Sequence, residues 1–129
     1  MTRVIAHGVD LVEIVRIEKS IADHGERFIE RCFTKAEADY ARSARNPRDI
    51  ERFAARFAAK EAVLKTLGTG WADGIAWTDV EIRSAPTGQP FVVIAGKAKL
   101  IADDLGISTF HLSLSHTGNH AIASVIACG

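Results

Sequence analysis

Asn46-Pro47-Arg48-Asp49-Ile50-Glu51-Arg52-Phe53-Ala54-Ala55-Arg56-Phe57-Ala58-Ala59-Lys60-Glu61-Ala62-Val63-Leu64-Lys65-Thr66-Leu67-Gly68-Thr69-Gly70 is the most strongly patterned stretch of this 129-residue sequence. Ile50, Phe53, Phe57, Leu64 and Leu67 follow the helical period. Alanines at 54, 55, 58, 59 and 62 favour a helix and permit close packing. Asn46 is placed to cap the start, with Pro47 in the first helical position and Asp49 in the first turn. Gly68 is a stop signal, and Gly68-Thr69-Gly70 reads as a flexible turn. Beyond that turn the period changes from that of a helix to that of a strand, which predicts a mixed fold.

Working outward, Val80 and Ile82 alternate with polar residues, and 85–90 is a turn sequence before Phe91-Val92-Val93-Ile94. That pattern predicts a β-hairpin. A short helix is expected over 97–105, stopped by Gly106, followed by a second hairpin from 110–116 and 121–126. Upstream, Val4–Asp10 reads as a strand ending at a carboxylate, and Ile14, Ile17 and Ile21 predict a helix over 12–23 that stops at His24-Gly25. Thr34 and Glu37 have the spacing of a capping box, with a helix expected to about Ala44. The expected class is α+β, helices packed on a mainly antiparallel sheet, in one domain spanning 1–129.

Composition narrows the function classes. Sixteen Lys+Arg balance sixteen Asp+Glu, so the chain lacks the global positive field of a general nucleic-acid or anionic-membrane binder. Any anion site has to come from local clustering. No apolar run approaches the ~20 residues of a membrane span. His7 and Asp10 interrupt the start before a secretory apolar segment forms. The two cysteines, Cys32 and Cys128, supply neither a disulfide framework nor a four-ligand zinc site, and a reducing cytoplasm is the expected setting.

Several side chains can carry chemistry. Glu61 lies about 40° from Phe57 on the helical wheel, at the border of the apolar stripe, where a carboxylate wants a partner or a metal. Lys65, at i+4, makes either a helix-stabilising pair with Glu61 or a catalytic one. Asp10 at a strand end can bind a metal or cap the next helix. Two acidic groups with anion binders elsewhere suit Mg²⁺ and phosphate chemistry. His116 continues the face of Phe110, Leu112 and Leu114, and reads either as structural or as a ligand contact. Arginines 42, 45, 48, 52 and 56 form a basic run, either a solvated face or an anion-binding one. Gly68-Thr69-Gly70 would let backbone amides approach a phosphate, though it lacks P-loop spacing.

Taken together, these residues resemble a known family. Gly8-Val9-Asp10-Leu11-Val12-Glu13-Ile14 with Arg16 is similar to the opening of the holo-acyl-carrier-protein synthases. Arg56-Phe57-Ala58-Ala59-Lys60-Glu61-Ala62-Val63-Leu64-Lys65 with Gly68-Thr69-Gly70 resembles their central signature. Phe33-Thr34-Lys35-Ala36-Glu37 and Ser113-Leu114-Ser115-His116-Thr117 also match, in order, so the resemblance spans nearly the whole chain.

The resemblance implies a 4′-phosphopantetheinyl transferase of the small, single-unit type, which moves phosphopantetheine from coenzyme A to a serine of apo-acyl carrier protein and releases adenosine 3′,5′-bisphosphate. It makes Asp10 and Glu61 the Mg²⁺-binding carboxylates and Lys65 a catalytic and phosphate-contacting residue. Arg56 and His116 are matched to coenzyme A phosphate contacts, Gly68, Thr69 and Gly70 to the coenzyme-binding turn, and Arg16 to carrier-protein docking. Either Glu61 or a water on the metal would take the serine proton. The resemblance further implies a homotrimer with active sites between subunits, and a place in fatty acid and lipid biosynthesis. The rest of the first helix is less basic than the family's usual docking helix: Glu18, Ser20 and Asp23 are present, with Arg27 further on. Two other readings compete: a Mg²⁺-dependent phosphohydrolase that uses water as acceptor, and a coenzyme A- or nucleotide-binding regulatory module without transfer activity.

Overall fold

A computed structural model describes residues 2–71 and 74–129. The order is β1 (Val4–Glu13), α1 (Ile14–His24), α2 (Glu26–Cys32), α3 (Lys35–Arg42), α4 (Arg48–Leu67), a 3₁₀ turn (Trp77–Asp79), β2 (Val80–Ser84), β3 (Pro90–Ile94), α5 (Gly96–Asp104), β4 (Thr109–His116) and β5 (His120–Cys128). The strands form two antiparallel sheets, β1-β5-β4 and β2-β3. The expected α+β class is therefore observed, with the sheet split in two.

α4 is the axis of the molecule. Its alanines pack against β1 and β5, where Ala58, Ala59 and Ala62 are fully buried beside Ala123 and Val125. Its first half packs Phe53 and Ile50 with Ile17, Ile29 and Phe33 of the α1–α3 layer. Small side chains on both surfaces let helix and strands approach closely. The approach is close at Gly8 of β1: a Cβ there would run into the Ala62 backbone carbonyl, 3.1 Å from its carbon.

Boundaries differ from the sequence expectation where pairing or packing decides. β1 runs past Asp10 to Glu13, because Leu11, Val12 and Glu13 pair with Ile122, Ala121 and His120 of β5. α1 accordingly begins at Ile14, and Asp10 sits inside a strand, so it caps no helix. α2 was not anticipated: its seven residues are too few for a periodic signal, yet they bury Ile29 and Cys32. The Thr34–Glu37 capping box forms as expected, with Thr34 Oγ1 accepting from the Glu37 amide at 3.2 Å and Glu37 Oε1 from the Thr34 amide at 2.8 Å. α3 ends at Arg42, two residues short of Ala44. At α4, Pro47 and not Asn46 is the N-cap, since its carbonyl accepts the first helical bond, from the Glu51 amide at 3.2 Å.

One buried ion pair ties the layers together. Lys60 and Glu37 are both inaccessible to water and meet at 2.7 Å. Lys60 Nζ also donates to the carbonyls of Val80 (2.6 Å) and Trp77 (3.0 Å), while Glu37 Oε2 accepts from the Ile82 amide at 2.8 Å. These bonds satisfy the pair and fasten α3, α4 and β2 to each other. Among the described residues, no helix is long and apolar enough to cross a membrane.

Candidate active site

β1 alternates across its sheet, so Gly8, Asp10 and Val12 turn towards α4 while Val9 and Leu11 turn outward. Because Gly8 lies against the α4 backbone, Asp10 arrives beside the last turns of that helix. Lys65 Nζ closes the gap, at 3.1 Å from Asp10 Oδ1 and 2.8 Å from the Val9 carbonyl. Lys65 therefore pairs with Asp10 across the chain, which corrects the helix-internal Glu61–Lys65 pair that spacing alone permits. A contact 55 residues apart in sequence leaves no periodic trace.

Glu61, one turn before Lys65, is half-buried. Burial pushes its carboxyl above the usual glutamate range and Asp10 adds to the rise, while a hydrogen bond from Trp71 and the charge of Lys65 act against it. The Trp71 bond runs from Nε1 to Glu61 Oε1 at 3.3 Å. Sequence reasoning passed over Trp71, although a tryptophan three residues after a helix-ending glycine carries an N–H that seeks an acceptor. Gly68 ends α4 in the left-handed region (φ 76°), its amide bonded to the Leu64 carbonyl, and Gly70 is also left-handed at 60°. Thr69 Oγ1 donates to the Gly70 carbonyl within the expected turn, which begins three residues after Lys65.

Asp10 and Glu61 lie in the wall of a cavity of about 530 Å³ that Arg16, Lys19, Phe28 and Phe57 also line. A second concavity beside it is bounded by His24, Arg27, Phe28 and Arg31. The α1–α2 face thus presents cations around the carboxylate pair, tempered by the Lys19–Asp23 ion pair at 2.9 Å.

Arg56 and His116 fall elsewhere. Arg56 precedes Glu61 by five residues, about 140° round the helix. Its guanidinium is buried over the Tyr40 ring at 3.9 Å, with Nη2 donating to Ser84 Oγ at 2.8 Å and Nε without a partner among the described residues. It borders a smaller cavity of about 330 Å³ with Ser84, Gln89 and Ser113. His116 Nδ1 is 3.5 Å from Glu51 Oε2, near the opposite end of α4. Glu51 and Glu61 are ten residues apart, about 15 Å along the helix axis. The basic run is also divided: Arg42 pairs with Glu26, Arg52 bonds the Tyr40 carbonyl and Ser43, and Arg45 and Arg48 are exposed.

Two carboxylates beside a lysine, a glycine turn and neighbouring arginines and lysine on α1 and α2 have the composition of a phosphate-handling site. Residues 6–125 match the 4′-phosphopantetheinyl transferase superfamily. The chain belongs to that superfamily. Among its relatives is a holo-[acyl-carrier-protein] synthase of Koribacter versatilis, 48% identical over 123 residues that cover 95% of this chain and 97% of the relative. Among solved transferase structures, the Bacillus anthracis holo-(acyl-carrier-protein) synthase in complex with CoA (3′,5′-ADP) has a TM-score of 0.81 at 32% identity, covering 98% of this chain and 97% of that one. The Helicobacter pylori synthase in complex with coenzyme A also gives 0.81, at 29% identity over 94% and 98% of the two chains.

Proposed function

We propose that this chain transfers the 4′-phosphopantetheine group of coenzyme A to a serine of apo-acyl carrier protein and releases adenosine 3′,5′-bisphosphate. The observation that carries the reading is the meeting of Asp10 and Glu61 at one cavity, with Lys65 paired to Asp10, from a strand and a helix far apart in sequence. The donor set fits Mg²⁺, which takes one or two carboxylates and completes its shell with water and substrate phosphate oxygens. Desolvated Glu61 beside Asp10 is a negative pair that Lys65 offsets only in part, of the kind a cation relieves. When bound, Mg²⁺ would neutralise the pyrophosphate charge that grows as the leaving phosphate departs.

Asp10 and Glu61 would hold the ion, and Lys65, released from Asp10, would reach the leaving phosphate. Glu61, or a water beside it, would take the proton of the attacking serine hydroxyl. The serine oxygen bonds to phosphorus, the bond to the 3′,5′-bisphosphate breaks, and the serine proton goes to Glu61 or to that water. The amides of Gly68, Thr69 and Gly70 would line the coenzyme. Arg16 would dock the acidic carrier protein, supported by its place in the same cavity wall as the carboxylates. The unpartnered Nε of Arg56 supports a phosphate contact there, as does the exposure of His116.

On one chain Arg56 and His116 face away from the carboxylates, Arg56 about 140° round α4 and His116 beside Glu51 about 15 Å along it, and in an assembly a second copy would bring its Arg56 and His116 to the first copy's carboxylates. The outer sheet face suits such an assembly: Val9, Leu11, Ile122 and Ile126 are exposed, Leu11 by 62%, with Leu11 opposite Ile122 in register. An apolar face of this kind is stabilised when covered. We assign it to a homotrimer acting in the cytoplasm, where the free Cys32 and Cys128 stay reduced.

Intact-protein mass spectrometry of apo-acyl carrier protein with this chain, coenzyme A and Mg²⁺ tests the reaction. A gain of one phosphopantetheine, lost on chelation, is expected; coenzyme binding without any gain would make the chain a regulatory module. Mixing Glu61→Ala with His116→Ala protein tests the shared site. Random reassembly of a closed ring leaves about a quarter of sites with both halves intact. Recovery to that fraction is expected, and no recovery would place both halves in one subunit.

A further inference from the structure

We propose that Trp71 is a positioning residue for Glu61, holding one carboxylate oxygen through its indole N–H so that the other is presented to the cation. The inference rests on the reading of Asp10 and Glu61 as the metal-binding pair.

The bond from Trp71 Nε1 to Glu61 Oε1 is 3.3 Å long and is supported from behind. Trp71 stacks on Trp77 with ring centroids 3.8 Å apart and planes at 27°. Trp77 stacks in turn on Phe57, at 4.8 Å and 27°. Phe57 lies four residues before Glu61 on α4, hence on the same side of the helix. The contacts therefore close a ring: Glu61 to Trp71, to Trp77, to Phe57, and back to Glu61 through one helical turn. Left-handed glycines at 68 and 70 turn the chain so that residue 71 can reach back over the helix it has just left.

A free glutamate samples many rotamers and must be ordered when it takes a cation. Here the ordering is built into the unliganded protein. Trp71 Nε1–H has no acceptor function and cannot bind the metal itself, so its contribution is directional. The aromatic stack continues from Phe57 to Phe28 at 6.3 Å, and both rings line the cavity that contains the carboxylates. Removal of a hydrogen-bond partner of a metal ligand typically costs about 10- to 100-fold in metal affinity.

Mn²⁺ binding followed by electron paramagnetic resonance, with coenzyme A present, tests this on wild type, Asp10→Asn, Trp71→Phe and Trp77→Phe. Phenylalanine at 71 keeps a smaller stacking ring and removes the donor. Trp71→Phe is expected to weaken Mn²⁺ binding by about tenfold or more, with Trp77→Phe close to wild type. Mn²⁺ affinity in Trp71→Phe equal to wild type, with Asp10→Asn impaired, overturns the role of Trp71 while the metal pair stands. Binding unaffected by Asp10→Asn overturns the metal pair itself, and the proposal with it. Trp77→Phe leaves Trp71 as the sole tryptophan, giving a readout that does not depend on the stability of Trp71→Phe. Its emission is expected to shift on titration with Mg²⁺, and a spectrum unchanged at saturation overturns the proposal.

Discussion

Replacing Gly8 with alanine adds one methyl group at the place where β1 touches α4. The new Cβ would stand 3.1 Å from the Ala62 carbonyl carbon and 3.2 Å from Lys65 Cβ, inside the 3.4 Å at which ordinary contact begins. The carbonyl oxygen, on a bond of about 1.23 Å, lies nearer still, so strand and helix must part by roughly 1 Å. The obstacle is backbone, and trimming Ala62 to glycine gives no relief. Overpacking of this kind costs about 1–3 kcal/mol, which urea denaturation would register. The larger effect is expected on turnover. Asp10 is two residues from the insertion and Lys65 bridges the gap, so the separation falls between the groups that must converge. A misplacement of about 1 Å at reacting groups can cost about 100-fold. Gly8→Ala is thus expected to fold, melt earlier and lose about two orders of magnitude in kcat with apo-acyl carrier protein at saturating coenzyme A. Gly118→Ala is the control, because a Cβ there meets nothing within 4 Å. Wild-type turnover in a folded Gly8→Ala protein would refute the claim that this close approach sets the site.

Lys65→Ala should lower kcat strongly even at saturating coenzyme A; a change confined to KM would make Lys65 a binding group only. Glu61→Gln should abolish transfer yet stabilise the metal-free protein at neutral pH. The raised Glu61 carboxyl means that the folded state holds more protons than the unfolded state between the ordinary and the raised pKa, so stability falls as pH rises through that window. Urea midpoints measured across pH should show that fall in wild type and a flatter profile in Glu61→Gln. Lys60→Met should cost about 3–5 kcal/mol by leaving Glu37 buried without its cation, and a midpoint within error of wild type would show the pair to be dispensable.

Legibility in the sequence followed the range of the interaction. The capping box at Thr34 and Glu37 was readable because its partners are three residues apart. The end of α4 at Gly68 and both hairpins were readable because glycine stops and alternation are local. The end of β1 was misplaced because Leu11–Glu13 become strand only through pairing with residues about 110 positions later. Lys60 reads as one more surface lysine within an alanine-rich helix, and only the arrival of Glu37 and two β2-side carbonyls explains its complete burial.

At the site the division is similar. Asp10, Glu61, Lys65, the glycine turn, Arg16, Arg56 and His116 were all named from residue type, spacing and family resemblance. That Lys65 answers Asp10, that Glu61 is desolvated and held by Trp71, and that Arg56 and His116 lie away from the carboxylates are results of packing. The sequence by itself determined the longer helices and the hairpins, the mixed class and the chemical inventory, because each depends on neighbours within a few residues. The tertiary structure alone decided which charges pair, which carboxylate loses its water and which faces remain open, because those depend on distances between segments that the chain's order leaves free.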